Sequence, residues 1–422
     1  MGTEELDCVA ISINEKLGSL SPLSSDRCIF KVPNQVRVVN EKAYAPEIIA
    51  IGPYHRGKDH LKAMEEHKIR YLQRFLRRSH QNSVLGIVQA IRALEETARN
   101  CYSEPVSLTQ DEFVEMMVVD GCFIVEFSYR CVETADPEDP IFQTNQIQSR
   151  LMLDLLLVEN QLPFFVLIKL FHMITGQENS IIKLLLKVFK FLLPGRGYNP
   201  KHEYTSEQIG QIRHLLELIH DNWQPLPTRM ESYLNMRENV KRSFPRCAIE
   251  LQEAGIKFKK VEEQNLFDIS FRNGVMRIPT LTIRDETECI MRNLIAYEQL
   301  IPRSSPIYVT DYMIFMDSLI NSEKDVELLC HKGIIENWLG DDKAVAILCN
   351  KIGDNVFCDR ALYAEIQYSV NMHCNKRWNV WMAKLRHNYF HSPWALISVL
   401  AAIILLFLTF SQTLYSVFSY YK

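Results

Sequence analysis

WALISVLAAIILLFLTF, running from Trp394 to Phe410, decides the architecture of this chain, and no residue from Ser392 to Tyr421 carries a charge. Extended through Tyr415, the run gives about 22 residues, or roughly 33 Å of helix at 1.5 Å per residue. A hydrocarbon core is ~30 Å thick, so the stretch is long enough to cross a bilayer. Ser392 suits the cap position and Pro393 the first helical position. Trp394 at one end, and Tyr415, Phe418, Tyr420 and Tyr421 towards the other, are placed as interfacial aromatic belts. A buried core helix is the competing reading. Apolar residues all round, aromatic flanks and a place at the end of the chain argue against it.

The flanks of this stretch set an expected orientation. Lys376, Arg377, Lys384 and Arg386 precede it and only Lys422 follows. Cationic flanks stay in the cytosol, which puts the large N-terminal domain there. The first residues, MGTEELDCVAISINEKLG, have no basic start and no apolar core, so they do not read as a signal peptide. Gly2 alone invites a myristoylation reading, but Leu6 stands where that motif wants Ser or Thr. The expectation is a tail-anchored, single-pass protein, with the lipid bilayer as one partner and unknown proteins as others. Eleven scattered cysteines without a C-x-x-C, and the lack of an N-x-[ST] sequon, fit a reducing compartment. A net charge of −4 with no basic run predicts no nucleic-acid partner.

Before the anchor the chain is ordinary globular sequence, 47% apolar and 23% charged, which excludes a disordered protein. Three parts are expected: a tail (1–25), a helical domain (26–390) with a candidate lobe boundary at 194–232, and the anchor (391–422). Residues 28–57 are rich in proline and β-branched side chains and read as extended chain. A helix is predicted from His60 to Arg77, with Leu61, Met64, Ile69, Leu72, Phe75 and Leu76 on its apolar face. Further helices are predicted over Val84–Tyr102 and over Phe113–Tyr129, the latter behind a Thr109/Glu112 capping box. Others follow at Ile147–Glu159, from Pro163 to near Gly176, at Ile181–Leu193 behind Asn179 or Ser180, and through Ile209–Ile219. Residues 194–206 read as a loop. Phe267, Ile269 and Phe271 alternate with polar residues, and Asn273-Gly274 leads into Val275–Ile283, a β-hairpin signal. Helices resume near Glu286, with breaks near Pro302 and Gly340. The predicted fold class is mostly α with a minor β-hairpin.

Signatures of common chemistry are missing. There is no P-loop, G-x-G-x-x-G turn, G-x-S-x-G, H-E-x-x-H or EF-hand loop. His55, His60 and His67 do not share one helical face, and Cys330-His331 and His373-Cys374 point apart, so no metal site is expected. Two polar features interrupt apolar sequence: Asp120 within VVDGCFIVEF, and Glu159, Asn160 and Gln161 between DLLLV and LPFFVL. Glu298 stands in a similar short segment, Glu298-Gln299-Leu300-Ile301-Pro302. Such groups are either acid–base residues of a pocket or a polar network that ties helix ends together. The network is favoured. In Ile181–Leu193, Lys183, Lys187 and Lys190 share one narrow face. That pattern fits a core helix with a solvated lysine edge, or an interfacial helix on anionic lipid.

Several of these stretches together resemble the plant domain-of-unknown-function 247 family: IFKVP (29–33), YAPEIIAIGPYHRG (44–57), LKAMEEHKIRYLQRFL (61–76), VVDGCFIVEF (118–127), DLLLVENQLPFFVL (154–167), RIPTLTIRDETECIMRNLIAYEQ (277–299) and YFHSPWALISVLAA (389–402). The resemblance runs from about residue 26 to the C-terminus. It implies a plant protein with a helical body and a C-terminal membrane helix. It implies no enzyme activity, and no cofactor is expected. The association of some grass relatives with self-incompatibility suggests recognition or signalling. The expected function is therefore a membrane-anchored, non-catalytic interaction module. The alternatives are a membrane-bound, hydrolase-like enzyme using Asp120, His55 or Glu159, and a lipid-surface protein docking through Ile181–Leu193.

Overall fold

The apolar run around Asp120 becomes the axis of the body. A computed structural model describes residues 7–18, 27–78, 83–133, 139–176, 180–194, 204–225, 227–234, 246–262, 265–302, 305–358, 362–375 and 393–420. Helices α1 (Lys62–Arg78) and α2 (Val84–Arg92) pack against α3 (Gln110–Val132). The predicted capping box opens α3: Thr109 Oγ1 accepts from Glu112 N at 3.3 Å and Glu112 Oε2 accepts from Thr109 N at 2.9 Å. Residues of α3 from Phe113 to Ser128 are buried around almost the whole circumference, as expected of a helix apolar on all sides. Helix α4 (Asn145–Asp154) leads through the ENQ turn into α5 (Phe164–Thr175), which Gly176 ends in a left-handed conformation, φ 69°. A side chain at Gly121 would overlap Leu170 of α5, so this glycine permits the close approach of α3 and α5.

Helix α6 (Ser180–Phe189) completes this half and also touches α7 (Leu215–Asn222). Its Ile181, Ile182, Leu185, Leu186, Val188 and Phe189 are buried in the core, while Lys183, Lys187 and Lys190 lie at the surface. The second half contains α8 (Thr287–Leu300), α9 (Tyr308–Leu319), α10 (Glu323–His331), α11 (Asp342–Ile352) and α12 (Ala364–Cys374). Strands β1 (Lys257–Val261), β2 (Ser270–Arg272) and β3 (Val275–Pro279) form a sheet in the order β1-β3-β2. The expected hairpin is β2–β3, antiparallel with Arg272 opposite Val275. Asn273 and Gly274 both have positive φ, 52° and 75°, as a two-residue I′ loop requires. Strand β1 pairs in parallel with β3, and β4 (Leu281–Ile283) pairs in parallel with β5 (Ile335–Asn337). Buried side chains from Cys28 to Cys374 form one core across both halves.

Several sequence expectations are corrected. Val275–Ile283 is divided between two sheets at Thr280, because Pro279 has no N–H with which to continue the ladder. Phe267 and Ile269 precede the hairpin as buried turn residues. The helix expected over Ile147–Glu159 stops at Asp154, and the one over Val84–Tyr102 is interrupted at Ala93-Leu94. The Ile209–Ile219 helix is two pieces, Ser206–Gln211 and α7, with the His214 side chain capping the second through Glu217 N at 3.2 Å. On α1, Ile69 faces solvent, and Lys68 and Tyr71 are buried in its place.

The last described element, α13 (Pro393–Tyr420), is one continuous helix, long and apolar enough to cross a membrane. Its Leu400–Ser419 stretch is strongly apolar and has no buried residue. Phe410, Tyr415 and Phe418 are exposed on it, and Pro393 and Trp394 are its first two residues. Asn179, Ser392, the four basic residues of 376–386, and most of the 194–206 loop lie outside the described residues.

Candidate functional site

Residues 47–52, Glu-Ile-Ile-Ala-Ile-Gly, run from an exposed Glu47 into the interior outside any strand or helix. Buried backbone polar groups need partners, and here side chains supply them. The Asp154 carboxylate accepts from three successive N–H groups, Glu47 at 3.0 Å, Ile48 at 2.7 Å and Ile49 at 2.9 Å. Asn160 behaves as a surrogate strand. Its Oδ1 accepts from Ile51 N at 2.6 Å, and its Nδ2 donates to Ile49 O at 3.0 Å and Asp154 O at 2.9 Å. Gln161 Nε2 donates to Leu155 O and Leu157 O, both at 2.8 Å, while its Oε1 accepts from Leu216 N of α7 at 3.1 Å. These amides thus take up carbonyls where α4 ends and an N–H where α7 begins. The first N–H of α5, Phe164 N, donates to Arg213 O at 2.8 Å.

Asp120 sits one layer deeper, on α3. Its Oδ2 accepts from Gly52 N at 2.9 Å and its Oδ1 from Lys68 Nζ at 2.7 Å. Lys68 is almost wholly buried, and its ammonium also donates to Glu65 Oε1 and Ala50 O, so all three of its N–H bonds are used. Burial pushes the Asp120 carboxyl up against the opposing pull of Lys68 and the Gly52 N–H. Gly52 itself has φ 70°, and a Cβ there would lie 2.8 Å from the Gln161 carbonyl oxygen and 3.0 Å from the Tyr102 hydroxyl. Tyr102 donates to that same carbonyl at 3.0 Å.

Glu159 and His55 meet. Glu159 Oε2 lies 3.1 Å from His55 Nε2, while Oε1 accepts from Val32 N at 2.7 Å and pairs with Arg37. Burial works against the Glu159 charge, but bonds from His55, Val32 N and Arg37 outweigh it and hold the carboxyl below its usual range. Burial pushes His55 the other way for an imidazole, down, so it stays neutral. Lys58 Nζ lies 2.8 Å from His55 Nδ1, and as an ammonium it donates, which assigns the ring proton to Nε2. A general base needs a free lone pair facing substrate. Here the lone pair is occupied and His55 is 3% exposed.

Glu298 does not join this hub. It caps α9, accepting from Val309 N at 2.9 Å, Thr310 N at 2.7 Å and the Thr310 hydroxyl at 2.6 Å. His220 Nε2 of α7 lies 2.9 Å from the same carboxylate. Although burial opposes its charge, hydrogen bonds to Asp221 and Glu298 raise His220 to about 9. Its ring stacks on Tyr308 at 4.5 Å.

Sequence reading missed Lys68, Asp154, Asn293 and His220. Asn293 links α8 to the hub, with Oδ1 accepting from Val158 N at 3.0 Å and Nδ2 donating to Ala43 O at 2.7 Å. The spacing of Met64, Lys68, Tyr71 and Phe75 carried a usable signal, since Lys68 stands in register with apolar core positions. A pocket of about 180 Å³ lies beside the hub, lined by Lys42, Glu47, Arg150, Asp154, Glu288 and Cys289 among others. Burial raises Asp154 there to about 6. Among the described residues, no group of three His, Cys, Asp or Glu is placed to hold a metal ion. His60 Nε2 contacts Pro46 O at 3.2 Å, and His67 is on α1.

No solved structure matches this chain. Two Arabidopsis thaliana proteins do. The UPF0481 protein At3g47200 is 32% identical over 428 residues, covering 93% of this chain and 87% of its own length. The putative UPF0481 protein At3g02645 is 23% identical over 489 residues, covering 93% and 90%. The hub segments 29–57, 118–127 and 154–167 and most of α13 fall within residues 29–408, which match the family model described as plant protein of unknown function. The chain therefore belongs to the DUF247 family of plant proteins.

Proposed function

We propose that this protein is a non-catalytic interaction module held at a membrane by α13, with its folded body in the cytosol. The observation that supports this reading most is a 28-residue helix, Pro393–Tyr420, with no buried residue in its apolar window. Apolar side chains exposed on that scale are stable in lipid, not in water. The cytosolic side follows from Lys376, Arg377, Lys384 and Arg386 on the N-terminal flank. Against a hydrolase stands the commitment of Asp120 and Glu159 to backbone N–H groups and cations, and of the neutral His55 to Lys58 and Glu159, inside the body. Groups engaged in this way position chain segments, and proton transfer through them would strand buried partners.

Removal of residues 393–422 tests the anchor. The full chain should stay with carbonate-washed membranes and the truncated chain should appear in the supernatant, folded. A truncated chain that still pellets with membranes would move the anchor elsewhere. Protease digestion of sealed, right-side-out microsomes tests the side: the body should be digested, and protection would reverse the orientation.

A further inference from the structure

We infer that Cys28 and Cys101 form a redox-active pair that closes into a disulfide and locks the N-terminal segment onto the helical body. The backbone brings them together. Cys28 N and Ile29 N both donate to Cys101 O at 2.9 Å, and Ser103 N returns to Ile29 O at 2.9 Å. Ile29 and Tyr102 thereby form a parallel bridge, which sets Cys28 beside Cys101 across it. Adjacent positions across a bridge fall within the Cα separation that a disulfide spans. The Cys101 thiol donates to Thr97 O at 3.4 Å, and the Cys28 thiol interacts with it. Elsewhere, Cys289 turns its thiol to Ala43 O, Cys358 to Asp311, and Cys131 accepts from Gln148.

The ring so closed contains α1, α2 and the whole 47–52 segment. It also contains Val32 and Arg37, two of the groups that hold Glu159. The oxidant is a low-molecular-weight disulfide of the glutathione class. One protein thiolate attacks it and releases one glutathione thiolate, leaving a mixed disulfide. The second protein thiolate attacks the protein sulfur of that mixed disulfide and releases the other glutathione. Two electrons pass from the cysteine pair to the oxidant, and the two thiol protons end on two glutathione thiols. Both cysteines are buried, and the bond from Cys101 and then burial push the Cys28 thiol up. Exchange therefore proceeds through local opening of residues 27–33 and is slow. In a reducing cytosol the resting state is the dithiol, and the disulfide accumulates under oxidative load.

The full-length protein in detergent is equilibrated with glutathione from fully reduced to fully oxidised, then acid-quenched, alkylated and peptide-mapped. The expected result is one linked peptide joining Cys28 to Cys101, with the Cys122 and Cys349 peptides still alkylated. Oxidation should raise the melting midpoint by about 2–4 °C, reversed by a phosphine reductant. Cys28→Ala and Cys101→Ala should each lose both the linked peptide and the shift. Should either variant fail to fold, the wild-type map decides alone. Full alkylation of Cys28 and Cys101 at the most oxidising ratio, after an added cycle of opening in mild denaturant, overturns the inference. So does linkage of either to another cysteine in native protein, or a linked peptide with no change in melting.

Discussion

At the scale of the residue, Asn160 shows how one amide replaces a strand. Its three bonds satisfy Ile51 N, Ile49 O and Asp154 O. Truncation removes all three at once, while the segment stays buried. Asn160→Ala is expected to cost about 1–3 kcal/mol and to lower the melting temperature of the body; an unchanged melt would refute a structural role for this side chain. Glu159→Ala strands Val32 N and leaves Arg37 half-buried without its partner, and a similar loss is expected. Gly52 is constrained twice over, by φ 70° and by the Gln161 carbonyl 2.8 Å from where a Cβ would stand. A backbone oxygen cannot swing aside as a side-chain end can. Gly52→Ala should destabilise by about 2–4 kcal/mol, read as a lower denaturant midpoint, and a neutral result would mean that the loop relaxes at no cost.

At the scale of the element, the informative features are helix ends. The Thr109–Glu112 capping box starts α3, and both of its reciprocal bonds form. Both residues are exposed, so the box acts on the helix terminus and touches no core packing. Thr109→Ala should cost about 1 kcal/mol, while Thr109→Ser should cost little; equal losses from the two would contradict a capping role. Helix α4 stops at Asp154 although apolar sequence continues through Val158. Its carboxylate leaves the helix to bind residues 47–49, and Gln161 takes the carbonyls of Leu155 and Leu157. Local propensity alone extends this helix, and the tertiary bonds end it.

At the scale of the whole molecule, the halves are joined by buried polar contacts as well as by the shared core. His220 on α7 meets Glu298 on α8, which caps α9. Asp221, Tyr297 and Tyr308 also face its ring. A histidine raised to about 9 on folding contributes stability that is complete below its unfolded value, near 6.5, and is lost as pH rises through about 9. His55 and His214 act in the opposite sense. Burial lowers both, His214 to about 4, so their contribution is complete above 6.5 and fades as pH falls through the lowered values. Melting temperature should therefore decline from pH 6.5 to about 7.5, below the range near 8.5 where unfolded cysteines begin to ionise. In His220→Gln that decline should flatten, and an identical slope in variant and wild type would assign it to other groups.

By itself, the sequence determined the features that depend on neighbours along the chain. An uncharged apolar run makes α13 a helix wherever it resides, because the whole run is long and uniformly apolar. The capping box, the Asn-Gly hairpin loop and the glycine stop at Gly176 are likewise encoded within a few residues. The polar character of Asp120, Glu159, Asn160 and Gln161 was also legible as an interruption of apolar sequence. Tertiary structure alone decided their partners. Lys68 stands in register with apolar positions of its helix, but only Asp120 from α3 and Ala50 from the 47–52 segment supply the partners that let its charge be buried. The same holds for the 47–52 segment. Its sequence called for extension, but whether its backbone would bond to a strand or to side chains depended on groups about a hundred residues away. Buried backbone must be satisfied by whatever the fold brings near, and that proximity is a property of the packed chain.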